Sequence, residues 1–217
     1  MNIIIQFFKQ IIEWIYGFFG DYGVAIVLIT MAIRILLMPL NMKQRKQSLK
    51  TQSISREAES IKKTYGSDQQ KMKEELQKLY QKNGVGAGSC LLGLVQLPIM
   101  LCLYHAIRLT VAAGTATVLL PWVSSLLVRD QTLLLPAVTL LIQLVPQTYP
   151  YISFFQSLKQ QKPSVGMMLI LLVSNGLFAF MIPSGVELYY LVSGAFSALE
   201  QLMLNLYMVR KMSKTVV

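Results

Sequence analysis

The feature that most restricts this chain is the run "AIVLITMAIRILLMPL", residues 25–40, in which Arg34 is the single charged residue and Thr30 the single hydroxyl. In hydrocarbon no water can satisfy backbone N–H and C=O groups, so an apolar run of this length is accommodated as a helix. A spanning helix needs roughly 20 mostly apolar residues to cover a hydrocarbon core about 30 Å thick. Five segments qualify, at about 22 to 40, 90 to 112, 132 to 152, 165 to 182 and 186 to 208. Composition decides between membrane spans and the core helices of a soluble protein: 54% of the 217 residues are hydrophobic and only 14% charged. The expectation is an all-α integral membrane protein with five transmembrane helices.

Charge gives the orientation. Sixteen of the twenty Lys and Arg residues fall within 41–83, 157–164 and 209–217, and five spans put these three segments on one side. Cytoplasmic loops carry the excess of basic residues, so that side is inside. The N-terminus is then outside, the C-terminus cytoplasmic, and the protein a multi-pass component of the cell membrane. The net charge of +10 follows this topology. No RNA-binding aromatic motif accompanies it, and no DNA partner is expected.

Two regions lie outside the spans, and the domain division is residues 1–20 and 21–217. In "MNIIIQFFKQIIEWIYGFFG", Asn2, Gln6, Lys9, Gln10 and Glu13 recur at helical spacing while Ile, Phe and Trp14 fill the other face. That pattern describes an external interfacial amphipathic helix with no small-residue cleavage site. Gly17, Gly20 and Gly23 supply a bend into the first span. Residues 41–83 carry eleven basic and five acidic residues, a local net charge of +6. A helix over about 43–64 has a thin stripe of Ile54, Ala58, Ile61 and Tyr65. "YGSD" breaks it, Ser67 and Gln70 match a capping box, and Met72, Leu76 and Leu79 repeat the stripe until Asn83-Gly84. The result is a basic cytoplasmic hairpin, read either as a solvated loop attracted to anionic lipid or as a docking arm for a partner.

Catalytic and metal signals are absent from the sequence. "GVGAGSC" lacks the Lys-Ser/Thr of a phosphate loop and does not follow a strand. Lone His105 has no companion for catalysis or metal binding, and Cys90 and Cys102 read as small buried hydrophobes. No enzyme activity, catalytic residue, metal or cofactor is expected.

Polar residues within the spans cluster by depth. At about 1.5 Å per residue from the cytoplasmic end, Arg34 and Gln96 lie roughly 9 Å deep, Gln147 about 8, Glu200 about 12, Gln143 about 14 and Asn175 about 15. The outer half is nearly all apolar, apart from small hydroxyls and residues such as His105 and Arg108 close to the external interface. A pore would be polar throughout, whereas this distribution describes a hydrophilic groove open inward and sealed outward. Substrate-groove candidates are Arg34, Gln96, Gln143, Asn175 and Glu200. Arg34 faces the groove or else snorkels to the inner headgroups. Arg34 and Glu200 lie within about 3 Å of the same depth, and if both face the groove they can pair. Pro98, Pro136, Pro146 and Pro150 interrupt the second and third spans, and serve either to splay helices or as ordinary kinks.

In order, "YGVAIVLITMAIRILLMPLNMKQRKQSLK", "KKTYGSDQQKMKEELQKLYQKNGV", "LVQLPIMLCLYHAI" and "IPSGVELYYLVSGAFSALEQLML" resemble the YidC family of membrane protein insertases, as a divergent, Gram-positive-like bacterial member. The resemblance covers nearly the whole chain. It implies an insertase and foldase that helps small hydrophobic proteins enter the cytoplasmic membrane, alone or with the Sec translocon. Arg34 takes the role of the groove arginine that receives polar parts of the substrate. Implied partners are nascent membrane proteins, the lipid bilayer, and as candidates the Sec translocon and the ribosome. The chain departs from the family where Val85 to Leu92 lacks the usual prolines. It departs again where Tyr189-Tyr190 and Glu200-Gln201 replace Tyr-Trp and paired glutamines. No lipoprotein signal is visible, and the nine residues after the last span argue against tail-mediated ribosome tethering.

Insertion is expected to need no nucleotide, since burying apolar substrate surface releases about 25 cal/mol per Å². A small-solute transporter would need a polar path through the outer half and an internal repeat of spans, and neither is present. A non-catalytic assembly subunit using the hairpin as a docking arm is the other alternative.

Overall fold

The computed structural model describes residues 2–66, 68–83, 96–111, 115–158, 166, 168–170, 172–173, 176 and 181–215. Among them the regular structure is helical: α1 (Asn2–Phe19), α2 (Tyr22–Thr64), α3 (Gln69–Asn83), α4 (Gln96–Thr110), α5 (Leu134–Thr148) and α6 (Ser184–Thr215). Two 3₁₀ turns, Tyr149–Tyr151 and Ser153–Leu158, extend α5, and the described residues between 166 and 176 are helical. One of these helices, α2, is long and apolar enough to cross a bilayer. Glu187 and Glu200 dilute the hydropathy of α6, while α4 and α5 have 15 residues each.

The first span and the first hairpin helix, expected as separate elements, form one helix of 43 residues. Pro39 lies inside it, and its missing N–H leaves one carbonyl of the preceding turn without its helical donor. No glycine follows before Tyr65, and Asn41 turns its amide to α6 rather than to a turn, so the helix continues until the Tyr65 N–H bonds back to the Ile61 carbonyl at 2.9 Å. At the start of α3 the cap is Asp68 rather than Ser67: its Oδ1 accepts the Lys71 N–H at 3.2 Å, the third-position bond that orphan helix donors require. Ser67 lies outside the described residues.

Helix α1 divides its apolar side chains between two faces. Ile12 and Ile15 are buried, with Phe8 and Ile11 packed partly against the same core, an i, i+3, i+4, i+7 stripe. Ile3, Phe7, Trp14 and Phe18 form a second stripe that is exposed, Trp14 by 67%. Of the three glycines expected to make the bend, Gly20 alone has a positive φ, +66°, and ends α1. Gly23 serves packing instead, because a Cβ there would strike the Thr117 hydroxyl.

The core draws Ile26 and Ile29 from α2, Leu103 and Ile107 from α4, Leu120 and Leu126 from the α4–α5 loop, and Val186 and Tyr189 from α6. These positions lie at the helix ends remote from the α2–α3 hairpin. Around that core α1 packs on α4 and α2, while α6 packs on α5 and α2. The hairpin itself buries only Ile54 and Ala58 among its apolar stripe residues, in keeping with its thin sequence pattern.

Candidate functional site

The faces that meet between α2, α5 and α6 can be read from helical period. Leu140, Gln143, Leu144 and Gln147 follow i, i+3, i+4, i+7 on α5, and Tyr190, Ser193, Gly194 and Ser197 repeat the interval on α6. With Arg34 of α2, Pro146 and Leu172, these residues line one cavity of about 370 Å³. Gly194 keeps the α5–α6 contact close: a Cβ there would meet Ile142 Cγ2 at 3.4 Å and Gln143 Cγ at 3.5 Å.

Polar groups cross from α2 to α6 in two steps. Arg34 Nη1 donates to Ser197 Oγ at 3.3 Å, and Asn41 Nδ2 donates to Glu200 Oε2 at 3.4 Å. Seven residues separate the donors on α2, and three separate the acceptors on α6. Each helix therefore presents one polar edge to the other. A second tie, Tyr190 Oη to Met100 Sδ at 2.7 Å, joins α6 to α4.

Of the sequence-predicted groove residues, Arg34 and Gln143 line the cavity together. Glu200 is buried against Asn41, one turn beyond the cavity-lining Ser197. Gln96 begins α4, but its side chain is outside the described residues, as is Asn175. Ser193, Ser197 and Asn41 were not singled out from sequence, and Tyr190 drew notice as a departure from the family pattern rather than as a groove residue. The signal that could have found them is the seven-residue interval from Arg34 to Asn41 and from Tyr190 to Ser197, since Ser and Tyr carry little weight when ranked by polarity alone.

The opposite end of the helices is closed by two aspartates. Asp21 caps α2 by accepting from the Val24 N–H at 2.9 Å, and it also accepts from Thr117 Oγ1 at 2.7 Å and the Val118 N–H at 2.6 Å. Burial raises its pKa, but hydrogen bonds from Thr117, Val118 and Val24 outweigh that effect and hold the carboxyl below its usual 3.8. Asp130 is served likewise by Thr132 Oγ1 at 2.7 Å, the Thr132 and Leu135 N–H groups at 2.9 Å and Trp122 Nε1 at 3.3 Å. Desolvation is again outweighed by these bonds, so its pKa also falls. The loop is fastened to α6 through Val128 O, which accepts from the Ser184 N–H at 2.9 Å and Oγ at 2.6 Å.

A third carboxyl lies at this end. Glu187, in the first turn of α6, is 1% exposed, and neither carboxyl oxygen has a hydrogen-bond partner among the described residues. It escaped notice because it stands at the start of the "VELYYL" run, where one acidic residue reads as a boundary marker.

Chemically, the cavity presents a guanidinium, two primary amides and several hydroxyls. Groups of three or more His, Cys, Asp or Glu able to hold a metal are absent among the described residues. Such a lining can exchange hydrogen bonds with a polar guest, and its positive group favours anionic ones.

The family model of the 60Kd inner membrane protein matches residues 14–211. The membrane protein insertase YidC of Oceanobacillus iheyensis is 34% identical over 204 residues, covering 90% of this chain and 79% of that protein. That of Caldanaerobacter subterraneus subsp. tengcongensis is 34% identical over 202 residues, covering 93% of each. Membrane protein insertase YidC 1 of Streptococcus pyogenes serotype M6 is 35% identical over 210 residues, covering 93% of this chain and 73% of that protein. Matched along nearly its whole length, with its polar cavity inside the matched region, this chain belongs to the 60Kd inner membrane protein family, that of the YidC membrane protein insertases.

Proposed function

We propose that this protein inserts small hydrophobic proteins into the cytoplasmic membrane through a groove between α2, α5 and α6. Five spans enclose that groove, with the N-terminus outside and the C-terminus inside. The observation that carries the reading is Arg34, which shares a cavity with Gln143 and Gln147 and bonds to Ser197. A guanidinium within a membrane helix costs roughly 2.5–3.5 kcal/mol on insertion scales unless it faces a polar, hydrated space.

In this reading Arg34, Gln143 and Glu200, with Gln96 and Asn175, receive the polar end of a substrate partway across the bilayer. The substrate's hydrophobic segment then moves along apolar helix faces into lipid. Packing at the remote end, around Leu103, Leu126 and Tyr189, supports an outward seal. Residues 1–20 form an interfacial foot, consistent with the exposed stripe of Ile3, Phe7, Trp14 and Phe18. The basic hairpin of α3 and the distal half of α2 serves as the docking arm, with the Sec translocon and the ribosome as candidate partners.

The test is reconstitution of the purified chain alone into liposomes, followed by addition of a short two-span hydrophobic protein. Protease-protected insertion above that of empty liposomes is the expected result. Insertion equal to that of empty liposomes would overturn the reading.

A further inference from the structure

We propose that the loop between α4 and α5 is a second lipid-contacting element beside α1, seated at the headgroup and acyl boundary of the leaflet at that end of the molecule. Its partner is the acyl-chain region of the bilayer, touched by Val118, Leu119 and Trp122. The inference goes beyond the insertase reading and does not depend on it.

The loop is turned inside out relative to a loop in water. Thr117 and Ser125 are buried, the first donating to Asp21 and the second accepting the Leu127 N–H, while Val118, Leu119 and Trp122 face outward, Val118 by 83%. Leu120, Val123 and Leu126, at intervals of three, enter the core that also holds Ile12 and Ile15 of α1. Contiguous apolar side chains left outside an ordered core mark a contact surface. Residues 115–128 carry no charge, so the surface has nothing with which to pair a charged partner and suits hydrocarbon.

The backbone is equipped for a place with little water. The Val118 N–H is taken by Asp21 Oδ2 at 2.6 Å and the Leu119 N–H by Thr117 Oγ1 at 3.2 Å. Those of Leu120, Val123, Leu126 and Val128 bond to carbonyls of the loop itself at 3.0 to 3.3 Å. Irregular backbone next to lipid is tolerated only where such groups find partners. Trp122 Nε1 is engaged by Asp130 at 3.3 Å, which leaves the exposed part of the ring purely apolar.

Two observations set the surface at the membrane. Asp21 caps α2, the helix long and apolar enough to cross a bilayer, and the same carboxyl accepts from Thr117 and Val118, so the loop begins level with the end of that helix. At its other end the loop runs into α5, where Leu134, Val138, Leu141 and Val145 continue the exposed apolar surface as an i, i+4, i+7, i+11 stripe.

The chain has two tryptophans, Trp14 and Trp122, so each can be read alone by fluorescence of the full chain in phosphatidylcholine liposomes. Trp14 is exposed, and Trp14→Phe leaves the core packing intact with Trp122 as the sole emitter. Acyl chains brominated near the glycerol should dim Trp122 by about twofold or more, as expected of a ring about 5–10 Å into the headgroup and acyl boundary. Bromines at the chain ends, and iodide in the water, should dim it less. Strong quenching by iodide with none by brominated lipid would put the loop in water and overturn the inference. Protection from both quenchers would also overturn it, since a protein surface such as a second copy would then cover the loop. Trp122→Phe reports Trp14 in the same liposomes: quenching of Trp122 without quenching of Trp14 supports the loop assignment while removing the interfacial foot of α1.

Discussion

The two ends of the helix cluster handle buried polarity in opposite ways. At the α1 end, Asp21 and Asp130 each collect several N–H and O–H donors at 2.6 to 3.3 Å, and the loop between α4 and α5 is sewn to α6 by backbone bonds. At the cavity end, Arg34–Ser197 and Asn41–Glu200 are long bonds of 3.3 and 3.4 Å, flanking a space of about 370 Å³. Charge-assisted hydrogen bonds to backbone donors are strong and fix a geometry. Longer contacts beside a cavity leave donors able to exchange partners. One end is held by short bonds, and the other borders a polar cavity.

The most damaging way to break this contrast is at the cavity. Arg34→Ala should reduce insertion by about tenfold or more, the equivalent of losing charge-assisted hydrogen bonds of about 1.5–3 kcal/mol to the incoming tail. Folded yield should persist, because the dense core lies at the other end. Full insertion by a folded Arg34→Ala protein would mean that the guanidinium does not receive the substrate.

Next in size is the closed end. Asp21→Ala removes a helix cap and two further bonds, and should cost about 2 kcal/mol of stability at neutral pH, read from thermal unfolding in detergent. The pKa of Asp21 is lowered on folding, so its stabilisation is present above the usual carboxylate value of 3.8 and is lost as pH falls through the folded value. The gap between wild type and Asp21→Ala should therefore narrow below that pH. A gap independent of pH would show that the carboxylate charge is not what holds the loop.

The smallest effect sharpens the comparison from the other side. Glu187 is the one buried carboxyl of the closed end whose oxygens both lack hydrogen-bond partners among the described residues. Buried polar groups without partners are destabilising, so Glu187→Leu should raise stability by about 1 kcal/mol. Destabilisation would reveal that Glu187 is engaged in a contact the closed end needs.

Much was legible because hydrophobic periodicity and charge act locally. The amphipathic character of α1, the break at "YGSD" and the thin stripe of the hairpin all follow from spacing along one helix. The continuity of α2 through Pro39 was not legible. A proline's cost can be absorbed when neighbouring helices hold the two halves in line, and that support comes from α6 and α1. Ser197 and Asn41 were likewise unremarkable until α6 lay against α2.

The sequence by itself determined that this chain is a set of apolar helices with a basic excursion and a guanidinium inside an apolar run, because hydropathy and charge are properties of residues in order. Only the tertiary structure decided which polar side chains share a space. Gln143 came to Arg34 because both face the same gap, whereas Glu200, expected at nearly the same depth, was set one turn beyond Ser197 and bonded to Asn41. Depth is a coordinate along one axis, and a site also needs the rotation of each helix about its own. That rotation is fixed by packing contacts such as Gly194 on Ile142 and by the loop fastened at Val128.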